Sequence, residues 1–110
     1  MTAKYQVGDV IRATIPGFEV TKEGRPAVVI AEPEDDDLIV APITKIGPRS
    51  EYDIPISGWK AAGLKMPCFA RVNKPVTIQK SDVKTAGKLS DSDLANVKQS
   101  LRKFWTSQSM

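Results

Sequence analysis

The chain has 110 residues, of which 41% are hydrophobic and 26% charged, with a net charge of +3; this allows one core, rules out two independent domains and leaves no region too polar to fold. No apolar run approaches the roughly 18 to 20 residues that span a bilayer, and the opening MTAKYQVGDV lacks the apolar stretch of a signal peptide, so a cytoplasmic protein with no membrane association is expected. Cys68 is the single cysteine and histidine is absent, which excludes an internal disulfide, a Cys/His metal site and every mechanism built on a histidine base.

The stretch from Val7 to Ile15 carries enough β-formers in alternation to predict a first strand, which ends at Pro16-Gly17. A loop from Phe18 to Gly24 follows. Arg25-Pro26 then opens Ala27-Val28-Val29-Ile30-Ala31, the near-continuous apolar run of a strand buried on both faces, with its proline tolerated only at the start. Pro33 to Asp37 predicts a turn, and Leu38 to Thr44 a second apolar strand that pairs with the first as an antiparallel hairpin. Beyond the Gly-Pro loop of Lys45 to Ser50, the alternation of Tyr52, Ile54 and Ile56 predicts a strand that Pro55 marks as an edge. Gly58 to Gly63 predicts a short helical turn. Pro67 to Val72 and Val76 to Ile78 form either two strands or one strand interrupted at Pro75, and Leu89-Ser90 ends the sheet.

Ser90 with Asp93 makes a variant capping box, and Leu94, Val97, Leu101, Phe104 and Trp105 recur at helical spacing. This predicts an amphipathic C-terminal helix lying on the sheet, with Thr106 to Met110 frayed. The expected fold is therefore a single domain over residues 1–110, mainly β with a C-terminal helix, and an SH3-like barrel of five to seven strands. Charge is unevenly placed: acids gather from Glu32 to Asp37, while Lys60, Lys65, Arg71, Lys74, Lys80, Lys84 and Lys88 populate the second half, which permits a polyanionic partner. The acidic run lacks the spaced ligands of a calcium loop and reads as a solvated turn; Cys68, beside Pro67 and Phe69, reads as a small buried hydrophobe.

Fold alone says nothing of activity. In order, however, the chain carries Gly8-Asp9-Val10, Gly17-Phe18-Glu19, Gly24-Arg25-Pro26-Ala27-Val28-Val29, Ala41-Pro42-Ile43-Thr44, Gly63-Leu64, Thr77-Ile78 and Gly87-Lys88-Leu89-Ser90. This string resembles the MazF/PemK family of toxin endoribonucleases over nearly the whole chain. The resemblance implies a homodimeric toxin of a type II toxin-antitoxin system, with the PemK/CcdB-like barrel. Such a toxin cleaves single-stranded RNA without metal or cofactor, by attack of the substrate's 2′-hydroxyl, to a 2′,3′-cyclic phosphate, and is neutralised by a cognate antitoxin.

Such cleavage needs a proton removed, a crowded phosphate stabilised and the leaving oxygen protonated. Arg25 suits the second task, because a guanidinium offers a planar fork of donors and stays charged. The resemblance makes the Arg-Pro arginine and the Pro-Ile-Thr threonine, here Arg25 and Thr44, the catalytic pair. In some members an arginine and an aspartate two residues apart follow the Gly-Leu segment; here these positions hold Arg71, a candidate acid or stabiliser, and Asn73, whose amide cannot take a proton. Glu19 is then the nearest family-like candidate for a base. Phe18 and Trp59, in predicted loops, are candidates for stacking on bases, and Asn73 and Lys74 for RNA contact. Two rivals stand beside this reading: a non-enzymatic toxin of the same architecture that binds DNA gyrase through its C-terminal helix, and a catalytically weak RNA-binding regulator.

Overall fold

The structure is a computed structural model and describes residues 4–108. Its strands are β1 (Asp9–Ala13), β2 (Arg25–Ala31), β3 (Asp37–Thr44), β4 (Asp53–Pro55), β5 (Phe69–Arg71), β6 (Val76–Gln79) and β7 (Lys84–Lys88), followed by helix α1 (Asp91–Gln108). They form one open, antiparallel sheet of seven strands in the order β4-β5-β3-β2-β1-β7, with β6 also paired to β3. The mainly β fold and its closing helix are as the sequence predicts.

The expected hairpin is the spine. β2 and β3 pair through Ala27 with Pro42, Val28 with Ala41 and Val29 with Val40. Because side chains alternate along a strand, Val10, Val28, Ala41 and Ile43 enter one hydrophobic cluster while Ile11, Ala27, Val29 and Val40 enter another. Burial of both faces is the reason that β2 and β3 read as continuous apolar runs. Val97 of α1, with Leu94 and Leu101 beside it, covers the first cluster; Ile78 of β6, Ile15 and the half-buried Tyr5, Phe18, Val76 and Val83 cover the second. The wholly buried Val97 contributes about 1.5–3 kcal/mol in this way.

β3 is long enough to carry two partners on its other edge. Asp37 to Val40 pair with β6, and Ile43 and Thr44 pair with β5. The stretch between Pro67 and Ile78 is thus two strands laid end to end along one neighbour, separated where Pro75 cannot donate to a ladder. β4, with Pro55, lies at one end of the sheet, as an edge strand must. β7 lies at the other end and is not among the predicted strands, since Lys84-Thr85-Ala86-Gly87-Lys88 has no apolar alternation. Its place is set by backbone packing instead: Gly87 sits so close to the loop after β4 that a Cβ there would fall 2.3 Å from the Ala62 carbonyl oxygen. Lysines at both ends of this edge strand suit it to water.

At the start of α1 the Ser90 hydroxyl accepts the Asp93 N–H at 3.1 Å, one half of a capping box. The other half is replaced. The Asp93 carboxylate, on a residue 1% exposed, accepts the N–H groups of Ser57 at 3.1 Å and Gly58 at 2.8 Å, and so ties the loop after β4 to the helix. That loop makes the predicted turn, with the Ala62 N–H bonded to the Gly58 carbonyl. The helix runs on through Thr106 to Gln108, which the sequence predicts to be frayed; Ser109 and Met110 lie outside the described residues. Its last turn is held by Ser107, bonded to the Phe104 carbonyl at 2.7 Å, and by the Tyr52 ring set edge-on to Phe104 at 5.2 Å. Trp105 stands outside the buried stripe, 62% exposed. Among the described residues no helix is long and apolar enough to cross a membrane.

Candidate active site

β2 begins at Arg25 and β3 ends at Thr44. Since Ala27 pairs with Pro42, carrying the antiparallel register on by two residues sets Arg25 opposite Thr44. Both side chains line a single cleft of about 180 Å³. The approach to Arg25 is built by Gly24, whose φ of +81° and close approach to Ala13 (a Cβ would lie 2.8 Å from its nitrogen) leave no room for a side chain. Arg12 of β1 holds that turn by donating to the Gly24 carbonyl at 3.2 Å. The Arg25 guanidinium carbon lies 5.2 Å from the centre of the Phe18 ring, while its Nε is buried and has no hydrogen-bond partner.

The cleft is cationic and, Thr44 aside, otherwise apolar. Arg12, Arg25, Lys45 and Lys65 line it together with Ile43, Leu64, Met66 and Cys68, and among the described residues no carboxylate does. The carboxylate tied to its rim is Glu23, 2.9 Å from Lys65. The hydrogen bond and charge of Lys65, with a smaller contribution from Arg12, hold the Glu23 carboxyl below its ordinary range. Burial, reinforced by the negative charge of Asp93, pushes the Cys68 thiol up, so it is neutral at pH 7 and a poor nucleophile. What these groups can do is bind a polyanion and stabilise negative charge that grows in a reaction; the half-buried Arg12 and Arg25, with the exposed Lys45 and Lys65 around them, suit that task.

Thr44 is 8% exposed, and its hydroxyl is held by the backbone that follows it. Thr44 Oγ1 accepts the Ile46 N–H at 3.2 Å and donates over a long 3.4 Å to the Ile46 carbonyl. Arg71 reaches the same carbonyl through Nη2 at 2.9 Å, and its Nε lies 3.7 Å from Asp53 Oδ2, within ion-pair range but too far for a hydrogen bond.

A family model described as the PemK-like, MazF-like toxin of type II toxin-antitoxin systems matches residues 6–105. The chain belongs to the PemK/MazF toxin family. Solved structures of similar fold include the Mycobacterium tuberculosis toxin MazF-mt6, with a TM-score of 0.72 at 18% identity over 89% of this chain and 96% of that one. A MazE-MazF structure from Deinococcus radiodurans has a TM-score of 0.70 at 11% identity, over 93% and 96% of the two chains. An endoribonuclease in complex with its cognate antitoxin, from a mycobacterial species, has a TM-score of 0.73 at 7% identity, over 96% and 100%. No curated protein matches the sequence.

In this PemK/MazF toxin the structure gathers only part of the set nominated from sequence. Arg25 and Thr44 share the cleft, and Phe18 lies against Arg25 while packing on the second core cluster. Arg71 is outside the cleft wall, one shared carbonyl away from Thr44. Asn73 and Lys74 lie beyond it in the turn between β5 and β6, Trp59 is half-buried against the first cluster, and Glu19 is an exposed loop residue. Arg12 and Lys45 are cleft cations that sequence reasoning missed, and Lys65 it named only among the basic residues of the second half. Arg12 did carry a signal, as a charge set between the buried Ile11 and Ala13 of β1. Lys45 and Lys65 carried none beyond following Thr44 and Leu64.

Proposed function

We propose that this toxin is a metal-independent endoribonuclease that cuts single-stranded RNA to a 2′,3′-cyclic phosphate and a 5′-hydroxyl. The observation that supports this most directly is the meeting of Arg25 and Thr44 in one cleft whose charged lining is wholly cationic. In the proposed reaction the 2′-hydroxyl gives its proton to water as its oxygen attacks phosphorus, the bond to the 5′-oxygen breaks, and that oxygen takes a proton from water as it leaves. Arg25, with no ion-pair partner among the described residues, directs its fork at the non-bridging oxygens, where charge grows. Thr44 donates its hydroxyl to one of the same oxygens, and Arg12, Lys45 and Lys65 take flanking phosphates. Without a carboxylate or histidine on the wall, catalysis rests on charge stabilisation more than on a strong base.

The toxin is further read as held in check by a cognate antitoxin, a reading supported by the antitoxin complexes among its structural relatives, and as a homodimer on the family resemblance alone. An acidic antitoxin segment is the natural occupant of the same cationic cleft. The test is incubation of the purified protein with a long unstructured RNA in EDTA. Cleavage products with cyclic-phosphate and 5′-hydroxyl ends are expected; intact RNA across varied sequences would overturn the enzymatic reading.

A further inference from the structure

Arg71 spends its guanidinium away from the cleft, yet what it holds is the backbone next to Thr44. Asp53 and Arg71 are directly paired residues of β4 and β5, and the loop from Lys45 to Tyr52 that joins Thr44 to β4 folds back over them. The Asp53 side chain is 2% exposed and accepts the Arg49 N–H at 2.8 Å. Gly47 packs so tightly on it that a Cβ there would lie 3.1 Å from Asp53 Oδ2. Arg71, oriented by this carboxylate, donates to the Ile46 carbonyl at 2.9 Å.

We propose that Asp53 and Arg71 form a positioning pair that fixes the Ile46 peptide and thereby aims the Thr44 hydroxyl into the cleft. The Ile46 N–H at 3.2 Å anchors Thr44 Oγ1 as an acceptor. The Ile46 carbonyl accepts the shorter, charged bond from Arg71, which fixes where it lies, and the Thr44 hydroxyl reaches it only over a long 3.4 Å. The hydroxyl oxygen is thus pinned while its proton remains available to an anion in the cleft. The role rests on the endoribonuclease reading for its consequence, but the positioning itself is a property of the folded chain.

Two measurements test it separately. In cleavage assays, Arg71→Met lowers kcat about tenfold to a hundredfold while KM moves less than about twofold, since misplacing a reacting group by about 1 Å has that effect. In the Thr44→Val background Arg71→Met has no further effect on kcat, whereas a general loss of structure would multiply. Arg71→Lys, which retains a donor and a charge, recovers part of the rate. Asp53→Asn, which keeps volume and an acceptor for Arg49, shows the same direction with a smaller fall and covers the case in which Arg71→Met does not fold. In NMR spectra, Arg71→Met and Asp53→Asn both shift the Thr44 and Ile46 amide signals and speed exchange of the Ile46 amide. Unchanged Ile46 exchange overturns the positioning pair whether or not the protein cuts RNA, and multiplicative kcat effects overturn its route through Thr44. A wild type that leaves all RNA intact refutes the enzymatic reading alone.

Discussion

Replacing Arg25 with alanine separates what this side chain does for folding from what it does for chemistry. Its buried Nε has no hydrogen bond to lose, and among the described residues it has no ion-pair partner. The contact that remains is the face of Phe18 at 5.2 Å, worth about 0.5–1 kcal/mol for a cation over an aromatic ring that is not deeply desolvated. At about 4–8 °C per kcal/mol for a domain near this size, the melting midpoint falls by about 2–8 °C. Removing a buried donor that lacks a partner offsets part of even this loss. The rate is a different matter. Loss of a preorganised donor to a transition-state anion costs about 3 kcal/mol, a hundredfold to a thousandfold in kcat. Arg25→Lys keeps the charge but not the planar fork, so it recovers only a small part of the rate. Cleavage of a fluorogenic RNA in EDTA, run beside thermal unfolding on the same samples, measures both quantities. A folded Arg25→Ala protein that cleaves within about threefold of the wild type would refute the assignment. So would a midpoint lowered by more than about 15 °C, because the residue would then be structural.

Asp93→Ala leaves the Ser57 and Gly58 N–H groups unpaired at about 1–3 kcal/mol each, so a loss of about 2–6 kcal/mol is expected in denaturant titrations, with Asp93→Asn losing less; a change under about 1 kcal/mol contradicts the pinned loop. Cys68 reacts with iodoacetamide more slowly than free cysteine at pH 8, because burial raises its pKa above that of a free thiol, and it becomes reactive on unfolding; rapid alkylation of the native protein contradicts this. Lys65→Met weakens binding of a 2′-O-methylated, uncleavable RNA and lowers the salt-dependence slope by about 0.7, the increment for one lost phosphate contact on a single strand; an unchanged slope removes Lys65 from the binding surface.

Strands that bury apolar side chains were legible in proportion to how many faces they bury. β2 and β3 lie between both core clusters, and their uninterrupted runs of Ala, Val, Leu and Ile announce it. β7 takes its place from a backbone approach between Gly87 and Ala62, and it has the hydrogen-bonding partner β1 without an apolar face to declare. Nothing in Lys-Thr-Ala-Gly-Lys encodes that except the glycine. The C-terminal turn was misjudged for a related reason. Thr106 to Gln108 extend the helix beyond its apolar stripe, and they are held by the Ser107 hydroxyl and the Tyr52–Phe104 ring contact, which no periodicity reports.

The candidate site poses a sharper version of the same problem. Arg25 and Arg71 look alike in the sequence: each lies at the end of a short apolar strand, and each leaves its Nε buried without a hydrogen bond. Their neighbours decide between them. Arg71 has Asp53 across the β4–β5 ladder and a backbone carbonyl at 2.9 Å, so its charge is already answered within the fold. Arg25 has an aromatic face, three further cations around one cleft, and no acid on its wall. A half-buried guanidinium in that setting is stabilised by whatever anion enters, and the stabilisation it gives that anion is available for chemistry. Asp53 stands on the loop side of the sheet edge, 28 residues after Arg25 and 18 before Arg71, and only the pairing of β4 with β5 assigns it to one arginine and not the other.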